Sequence, residues 1–378
     1  MTNPLLQLLE VGQSVWLDFL DRKFLTDGSL QKLIKNDGLR GLTSNPSIFE
    51  KAIAQGGDYD AELQLLLQQE DHPALDLYER LAVSDIQTAA DLFRPVYDRL
   101  GGLDGYASIE VSPRHALDTE ATILEAQRLW RAVDRPNVMI KVPATAPGLR
   151  AIRYLIGEGI NVNVTLLFGI DMYLAVAEAH LSGLEALRAR GGDVTAVHGV
   201  ASFFVSRIDA KIDKAIDARL TSATGEAAAT LRRLRGRVAI ANAKVAYQHY
   251  LDLVATPRWR TLASLGASPQ RLLWASTGTK NSDYPDTLYI DELIGPDTIS
   301  TMPPKTLDAF REHGSVRARL AQNIDGAKAT LAEAEALGLN LRAITDQLTL
   351  DGVEQFERSL ESSLAAIAEK HRNFRKRR

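Results

Sequence analysis

Cysteine is absent from this sequence of 378 residues, and methionine and tryptophan are scarce at four residues each. The absence of cysteine excludes disulfides, zinc–thiolate sites, iron–sulfur clusters and thiol nucleophiles. No apolar run approaches the ~18 residues of a membrane-spanning helix, and the first ten residues lack the basic start and apolar segment of a secretory signal. Covalent catalysis would therefore need another nucleophile, such as lysine, serine or a carboxylate.

An excess of charge of one sign is also missing. The chain has 44 basic and 48 acidic residues, for a net charge of -4, with 45% hydrophobic and 24% charged residues. This balance is typical of a soluble globular protein and not of a surface built for nucleic acid or acidic membranes. We expect neither of those partners, and a cytoplasmic location. The seven histidines are scattered without ligand spacing, so no metal site is expected.

Short β-rich runs alternate with longer helical patterns along the chain. The eight runs predicted as strands are residues 14–19, 38–43, 106–111, 137–142, 160–166, 199–204, 271–276 and 287–290. Such alternation is typical of α/β proteins with right-handed crossovers and a parallel sheet, and eight strands predict a closed (β/α)8 barrel, the TIM barrel. An open doubly wound sheet is the alternative, but no glycine-rich phosphate-binding turn follows the first run.

The chain is predicted to form a single domain with helices added to the barrel in its N-terminal half and at its C-terminus. The expected parts are a barrel core at about 12–305, a helical extension at about 305–370 and a basic tail at 371–378. The extension is expected to pack across the barrel through apolar residues at helical spacing, Leu350, Val353, Phe356 and Leu360. The tail is expected to be a frayed, solvated end or the start of a linker.

Polar residues end or follow seven of the predicted strands, where the catalytic residues of (β/α)8 barrels lie. In chain order these residues are Asp18, Thr43 with Asn45, Glu110, Lys141, Asn163 with Thr165, Ser202 with Arg207, and Ser276 with Lys280. A barrel packed only for stability would carry branched apolar side chains at these positions. The pattern therefore predicts one site at the carboxyl ends of the strands.

Lys141 lies in the run VMIKVP at 138–143, which is otherwise suited to burial. Burying an unpaired ammonium lowers its pKa, and a shift of about 3 units would make the amine a usable nucleophile. Such an amine attacks carbonyls to form a Schiff base, as in class I aldolases. The alternative is a structural lysine that extends past the strand end or pairs with a carboxylate.

Two carboxylates could serve a Schiff-base reaction. Beside Lys141, a desolvated Glu110 with a raised pKa could deliver and remove protons, with Thr165 holding a water between them. Asp18 could deprotonate a substrate hydroxyl during carbon–carbon cleavage. The alternatives are an ion-pair partner for Glu110 and a helix cap or ion pair for Asp18.

Two cations and two hydroxyls predict a phosphate site. Arg207 offers two parallel hydrogen bonds and Lys280 a point charge, and Ser202 and Ser276 add hydroxyls. The run STGTK at 276–280 also offers backbone N–H groups around a glycine, an arrangement suited to anions. The alternative is a pair of surface cations beside a turn.

Five sequence runs occur in the order and spacing of the transaldolase family. They are GLTSNP at 41–46, SIEV at 108–111, NVMIKVPAT at 137–145, NVNVTLLF at 161–168 and ASFFVSR at 201–207. The sequence resembles this family over about residues 10–305, and the run WASTGTKN at 274–281 resembles its longer bacterial branch.

The resemblance implies a (β/α)8 barrel and roles for the residues above. Lys141 would be the Schiff-base lysine, Asp18 the acid/base at the cleaved bond, and Glu110 and Thr165 the holders of the catalytic water. The implied substrate ligands are Asn45, Thr43, Asn163, Ser202, Phe204, Arg207 and Ser276, the last two at the phosphate, with Lys280 standing in for an arginine that another branch carries at position 278. The free-aldolase branch typically has Gln and Tyr at positions 110 and 204, where this chain has Glu110 and Phe204.

The implied reaction belongs to the non-oxidative pentose phosphate pathway. A dihydroxyacetone unit passes from sedoheptulose 7-phosphate to glyceraldehyde 3-phosphate through the lysine Schiff base, giving erythrose 4-phosphate and fructose 6-phosphate. Phosphorylated sugars are the expected partners, no cofactor is needed, and a monomer or homodimer is expected. The alternatives are a class I fructose-6-phosphate-type aldolase, a non-catalytic phosphosugar-binding protein, and a chain whose C-terminal helices and tail form an interaction module.

Overall fold

Eight parallel strands form a closed barrel in a computed structural model that describes residues 3–55, 57–69 and 72–376. The strands are β1 (Gln13–Asp18), β2 (Gly41–Thr43), β3 (Tyr106–Glu110), β4 (Val138–Pro143), β5 (Val162–Leu167), β6 (Gly199–Phe204), β7 (Arg271–Ala275) and β8 (Thr298–Met302). Each strand pairs with the next along the chain, and β8 closes the barrel against β1. The predicted (β/α)8 barrel is confirmed.

Helices fill the connections between the strands and extend the chain beyond the barrel. They are α1 (Pro4–Glu10), α2 (Arg22–Thr26), α3 (Ser29–Asn36), α4 (Pro46–Gln55), α5 (Asp60–Gln69), α6 (Ala74–Arg99), α7 (Thr119–Val133), α8 (Ala146–Gly157), α9 (Ile170–Ala189), α10 (Ser206–Leu220), α11 (Gly225–Leu234), α12 (Val238–Val254), α13 (Pro257–Ala263), α14 (Leu288–Glu292), α15 (Pro304–His313), α16 (Ile324–Ala336) and α17 (Leu341–Lys376). The expected additional helices between the second and third strands are therefore present. Within the described residues, no helix is long and apolar enough to cross a membrane.

The eighth strand lies later in the chain than the sequence predicts. The predicted run 287–290 is instead the start of α14, where the Thr287 hydroxyl donates to Asp291 at 2.8 Å and Tyr289 is buried. β-branched and aromatic residues favour a strand only weakly when tertiary packing favours a helix. The true strand, TISTM at 298–302, was missed because its hydroxyl side chains interrupt the apolar pattern. The other seven predicted strands overlap observed ones.

Trp16 closes the middle of the barrel below the carboxyl ends of the strands. It lies opposite Gly41 in the register of β1 and β2 and is fully buried. A Cβ atom at position 41 would come within 2.4 Å of the indole ring, so only glycine leaves room for it. The two ends of the barrel interior are thereby separated by a large apolar side chain.

A buried ionic cluster fills the opposite, amino end of the barrel. We call this the basal cluster; it comprises Ser14, Trp16, Arg40, Asp104 and Arg271. The Asp104 carboxylate accepts from the Ser14 hydroxyl at 2.5 Å, from Trp16 Nε1 at 2.8 Å and from Arg271 Nη2 at 3.2 Å, with Arg40 at 3.8 Å. Both carboxylate oxygens are therefore paired, which is what a buried charge requires.

The C-terminal helix α17 packs against α4, α6 and the end of β5. Val353, Phe356 and Leu360 are buried as expected, but Leu350 is 50% exposed because it lies off the buried stripe. Helix α17 continues through Lys376, past the predicted start of the basic tail at 371. Lys370 Nζ donates to Asp60 at 2.7 Å. Of the predicted tail, Arg377 and Arg378 lie outside the described residues.

Candidate active site

A cavity of about 770 Å³ opens at the carboxyl ends of the strands. Parallel strands end at the same edge of a barrel, so side chains that are distant in sequence meet there. Ten of the twelve predicted site residues line this cavity: Asp18, Thr43, Asn45, Lys141, Thr165, Ser202, Phe204, Arg207, Ser276 and Lys280. The other two, Glu110 and Asn163, lie directly behind lining residues.

Lys141 is the buried amine of the cavity. It is only 4% exposed, and its Nζ lies 3.1 Å from Glu110 Oε2 and donates to the Ser44 carbonyl oxygen at 2.7 Å. Lys141 is thus paired with a carboxylate, as the structural alternative proposed. Its partner is Glu110, the glutamate that was predicted to transfer protons. Two fixed contacts orient the amine and leave it facing the cavity.

Glu110 stands between the main cavity and a second, narrower one. Its side chain is 4% exposed, and burial raises its pKa above the usual value, while the neighbouring Lys141 opposes that shift. The second cavity, of about 40 Å³, is lined by Glu110 together with Tyr78 and Glu125 and is large enough for a water molecule. A carboxyl with a raised pKa beside an amine is suited to proton transfer.

Asp18 is held by hydroxyl groups at the end of β1. The Thr43 hydroxyl donates to Asp18 Oδ1 at 2.8 Å, and the hydroxyl oxygens of Thr43 and Thr301 are 3.1 Å apart. Thr43, predicted as a substrate ligand, therefore also orients the carboxylate. Thr301 lines the cavity but escaped prediction because β8, which carries it, was misplaced.

Thr165 lies at an irregularity of the barrel. The register between β5 and β6 shifts between Val164 and Leu167, and Leu166 adopts a φ of 53°, which is uncommon for a residue with a side chain. The Thr165 hydroxyl is buried and has no hydrogen-bond partner among the described residues. A buried hydroxyl that lines a cavity and lacks a protein partner can bind a water or a substrate group.

Asn163 and Asn45 form hydrogen bonds with neighbouring residues of the site. Asn163 is fully buried and does not line the cavity; it accepts from the Ser202 hydroxyl at 2.6 Å and donates to Ser108 at 3.1 Å. Its place beneath Ser202 points to orienting that hydroxyl rather than to direct substrate contact. Asn45 lines the cavity, and its carboxamide oxygen accepts from the Ile48 N–H at 3.0 Å, which caps α4.

Two cations lie at the end of the cavity near α10. The Arg207 guanidinium lies over the Phe204 ring at 5.3 Å, and burial lowers its pKa. Burial also lowers the pKa of Lys280, and the positive charge of Arg207 adds to this effect. No hydrogen bond or ion pair joins either cation to the residues that the structure describes, so an anion here would satisfy both. The Ser276 hydroxyl lies 2.9 Å from that of Ser206.

Further residues complete the cavity wall. Lys51 and Lys305 add two exposed cations at the rim, and Gln355 and Phe356 come from α17. The rim lysines could not be found from sequence because they lie within helices and not at strand ends. In the described part of the chain, no group of three or more histidines and carboxylates is arranged to hold a metal ion.

The sequence that forms this cavity matches a known family. The model of the transaldolase/fructose-6-phosphate aldolase family matches residues 15–367. The chain belongs to this family. It is 46% identical over 373 residues to a transaldolase of Trichodesmium erythraeum, with 98% of each chain covered, and 46% identical over 372 residues to one of Thermobifida fusca, again with 98% of each covered.

A transaldolase of Thiobacillus denitrificans is 47% identical over 357 residues, which cover 94% of this chain and 97% of the relative. The expected transaldolase family and its barrel fold are thereby confirmed. Similarity over nearly the full length includes the helices after β8, so these helices are a shared part of the transaldolase chain and not an unrelated addition.

Proposed function

We propose that this protein is a transaldolase that moves a dihydroxyacetone unit from a ketose phosphate to an aldose phosphate through a Schiff base on Lys141. The observation that carries the proposal is a 4%-exposed lysine, 3.1 Å from a buried glutamate, in a cavity that also contains two cations without a partner among the described residues. Membership of the family and the high identity to proteins named transaldolase support it. The donor would be sedoheptulose 7-phosphate or fructose 6-phosphate.

The first half of the reaction uses Lys141 and Glu110. The amine attacks the C2 ketone and forms a carbinolamine, and loss of water gives a protonated imine. Glu110 exchanges the required protons through a water that it holds with the unpaired Thr165 hydroxyl. Asp18, held by Thr43, then takes the proton of the C4 hydroxyl. The C3–C4 bond breaks, its electron pair moves to the imine as an enamine, and an aldose phosphate leaves.

The second half reverses these steps on the acceptor aldose phosphate. The enamine carbon attacks the aldehyde, Asp18 returns its proton to the new hydroxyl, and hydrolysis of the imine frees Lys141. The protonated imine is the electron sink. Arg207, Ser276 and Lys280 would bind the phosphate of donor and acceptor in turn, and Asn45 and Ser202 would bind the hydroxyls of the three-carbon unit.

Borohydride trapping tests this proposal directly. Reduction in the presence of fructose 6-phosphate should convert the imine to a stable adduct, and peptide mapping should locate it on Lys141. A matched control is Lys244→Met, because Lys244 is also buried but pairs with Glu292 outside the barrel; this variant should still form the adduct. No adduct, or one on Lys51 or Lys244, would overturn the proposal.

Acceptor dependence separates the transaldolase from a free aldolase. Transfer requires an acceptor aldose phosphate, so turnover of fructose 6-phosphate should rise strongly when erythrose 4-phosphate is added. Equal turnover without acceptor, with free dihydroxyacetone released, would indicate the aldolase. Binding of fructose 6-phosphate without turnover under either condition would indicate a phosphosugar-binding protein.

A further inference from the structure

The proposed phosphate site is assembled from two separate elements. Arg207 lies in the first turn of α10, whereas Ser276 and Lys280 lie in the connection between β7 and α14, at 276–287. This connection has no regular secondary structure, so its backbone does not fix the position of Lys280 by itself. A contact that ties the connection to α10 would therefore decide how far Lys280 lies from Arg207.

Tyr284 makes such a contact. Its hydroxyl donates to Asp213 Oδ2 on α10 at 2.6 Å, and the Gly236 N–H donates to Asp213 Oδ1 at 3.2 Å. Gly236 has a φ of +66°, and a Cβ atom there would come within 2.8 Å of the Tyr284 ring. The glycine therefore provides both a left-handed turn and a slot in which the tyrosine ring lies.

A second tyrosine–aspartate pair lies one turn earlier on α10. The Tyr289 hydroxyl donates to Asp209 Oδ2 at 3.0 Å, and the Ala239 N–H donates to Asp209 Oδ1 at 2.9 Å. Tyr289 and Asp209 are both 1% exposed. This inner pair anchors α14, where the connection ends, and Ser276 contacts Ser206 of α10 where the connection begins. Tyr284 is the contact with α10 that follows Lys280 within the irregular part.

The four residues form two pairs that are close in sequence. Asp213 follows Arg207 by six residues of one helix, somewhat less than two turns, and Tyr284 follows Lys280 by four residues of the connection. We propose that Tyr284, held by Asp213, is a positioning residue that sets Lys280 opposite Arg207 for binding of the substrate phosphate. This inference rests on the proposed function, because it assigns a substrate phosphate to the two cations.

Loss of the Tyr284 hydroxyl should act on binding rather than on chemistry. Without its hydrogen bond to a carboxylate, the connection spends less time in the arrangement that binds phosphate, and the apparent affinity falls by the same fraction. Lys141, Glu110 and Asp18 lie on other strands and should keep their geometry. The expected signature is therefore a change in KM without a change in kcat.

The test is Tyr284→Phe, which keeps the ring in its slot and removes only the hydroxyl. We expect the KM of fructose 6-phosphate and the inhibition constant of inorganic phosphate to rise together by about tenfold, with kcat within about twofold of wild type. The KM of glyceraldehyde, an acceptor without phosphate, should not change. A matched control is Tyr247→Phe, whose hydroxyl donates to the Pro296 carbonyl oxygen at 3.2 Å at the amino end of the barrel.

The outcomes separate this inference from the proposed function. If wild type traps fructose 6-phosphate on Lys141 but Tyr284→Phe keeps the wild-type KM, the positioning role is wrong and the function stands. A fall in kcat, or an equal change in Tyr247→Phe, would show a general structural role and overturn the inference too. Absence of a wild-type adduct would instead overturn the proposed function. Thermal unfolding of both variants checks that they are folded to the same extent.

Discussion

The two ends of the barrel interior both contain buried charged groups, but these groups differ in how many hydrogen-bond partners the protein provides. In the basal cluster, every carboxylate oxygen of Asp104 has a donor, and Arg271 bonds Asp104, Ser14 and the Leu103 carbonyl oxygen. At the carboxyl end, the Thr165 hydroxyl has no partner among the described residues, and Arg207 and Lys280 lack ion pairs there. A buried charge whose partners are all in the protein is costly to unpair, whereas a charge without protein partners is available to a substrate.

The same strands build both ends. Ser14 and Trp16 of β1 join the basal cluster, and Asp18 of the same strand lines the cavity. In β7, Arg271 begins the strand in the cluster, and Ser276 follows its end at the cavity. Since alternate residues of a strand point into the barrel, burial alone does not distinguish a structural charge from a catalytic one. The two sets of charges differ in whether the protein supplies their partners.

The largest expected effect is on catalysis at the carboxyl end. Lys141→Met should lower kcat by more than about 10⁴-fold, because the other lysines that line the cavity in the described part of the chain lie at its rim or near Arg207. Its free energy of unfolding, measured in urea, should fall less than that of Asp104→Ala below, because the buried Glu110 can take up a proton when it loses the amine, whereas an arginine cannot lose its charge. If this variant unfolds easily, or keeps activity above about 1%, a loss of only about 100-fold, the distinction between a catalytic and a structural end is wrong.

The basal cluster should show the opposite pattern. Asp104→Ala leaves Arg271 buried without its carboxylate and should lower the free energy of unfolding by about 3–5 kcal/mol, measured by urea titration. The kcat of the folded fraction should stay within about twofold of wild type. If Asp104→Ala does not fold, Ser14→Ala is the milder variant, with an expected loss of about 1–2 kcal/mol. Normal stability with a reduced kcat would show that this end takes part in catalysis.

The variant Glu110→Gln tests the catalytic end through the dependence of kcat on pH. Loss of proton transfer should lower kcat by about 10²–10³-fold. Burial raises the pKa of Glu110 above the usual 4.5. As the pH falls, Glu110 is therefore protonated at a higher pH than an exposed glutamate would be, and wild-type activity should be lost at that higher pH. A profile of kcat against pH should show this acidic limb in wild type and not in the variant. An unchanged limb would assign it to another group.

The smallest effect is expected for an unpaired cation. Lys280→Ala should raise the KM of fructose 6-phosphate by about tenfold and leave the free energy of unfolding within about 0.5 kcal/mol of wild type. Wild-type KM would remove Lys280 from the phosphate site and leave Arg207 and Ser276. A large loss of stability would show that this charge is structural, as in the basal cluster.

Much of the site was readable from sequence because strands and their ends have local signals. The run VMIKVP predicts both a buried strand and a lysine within it, and Lys141 lies there. Thr301 could not be found in this way, since β8 has few of the apolar residues that mark a strand and TLYI at 287–290 has more. Because β8 was predicted at the wrong place, Thr301, which β8 carries into the cavity, was missed as well.

The sequence by itself determined the barrel, the family and which polar residues end the strands, because all of these depend on local pattern and on motifs in order. The tertiary structure alone decided which charged groups have hydrogen-bond partners within the protein. Asp104 and Glu110 are both buried carboxylates near strand ends, and only the folded chain places five donors around one and a single lysine beside the other. Hydrogen-bond partners come from residues far apart in sequence, so the difference between a structural and a catalytic charge arises only when the strands close into a barrel.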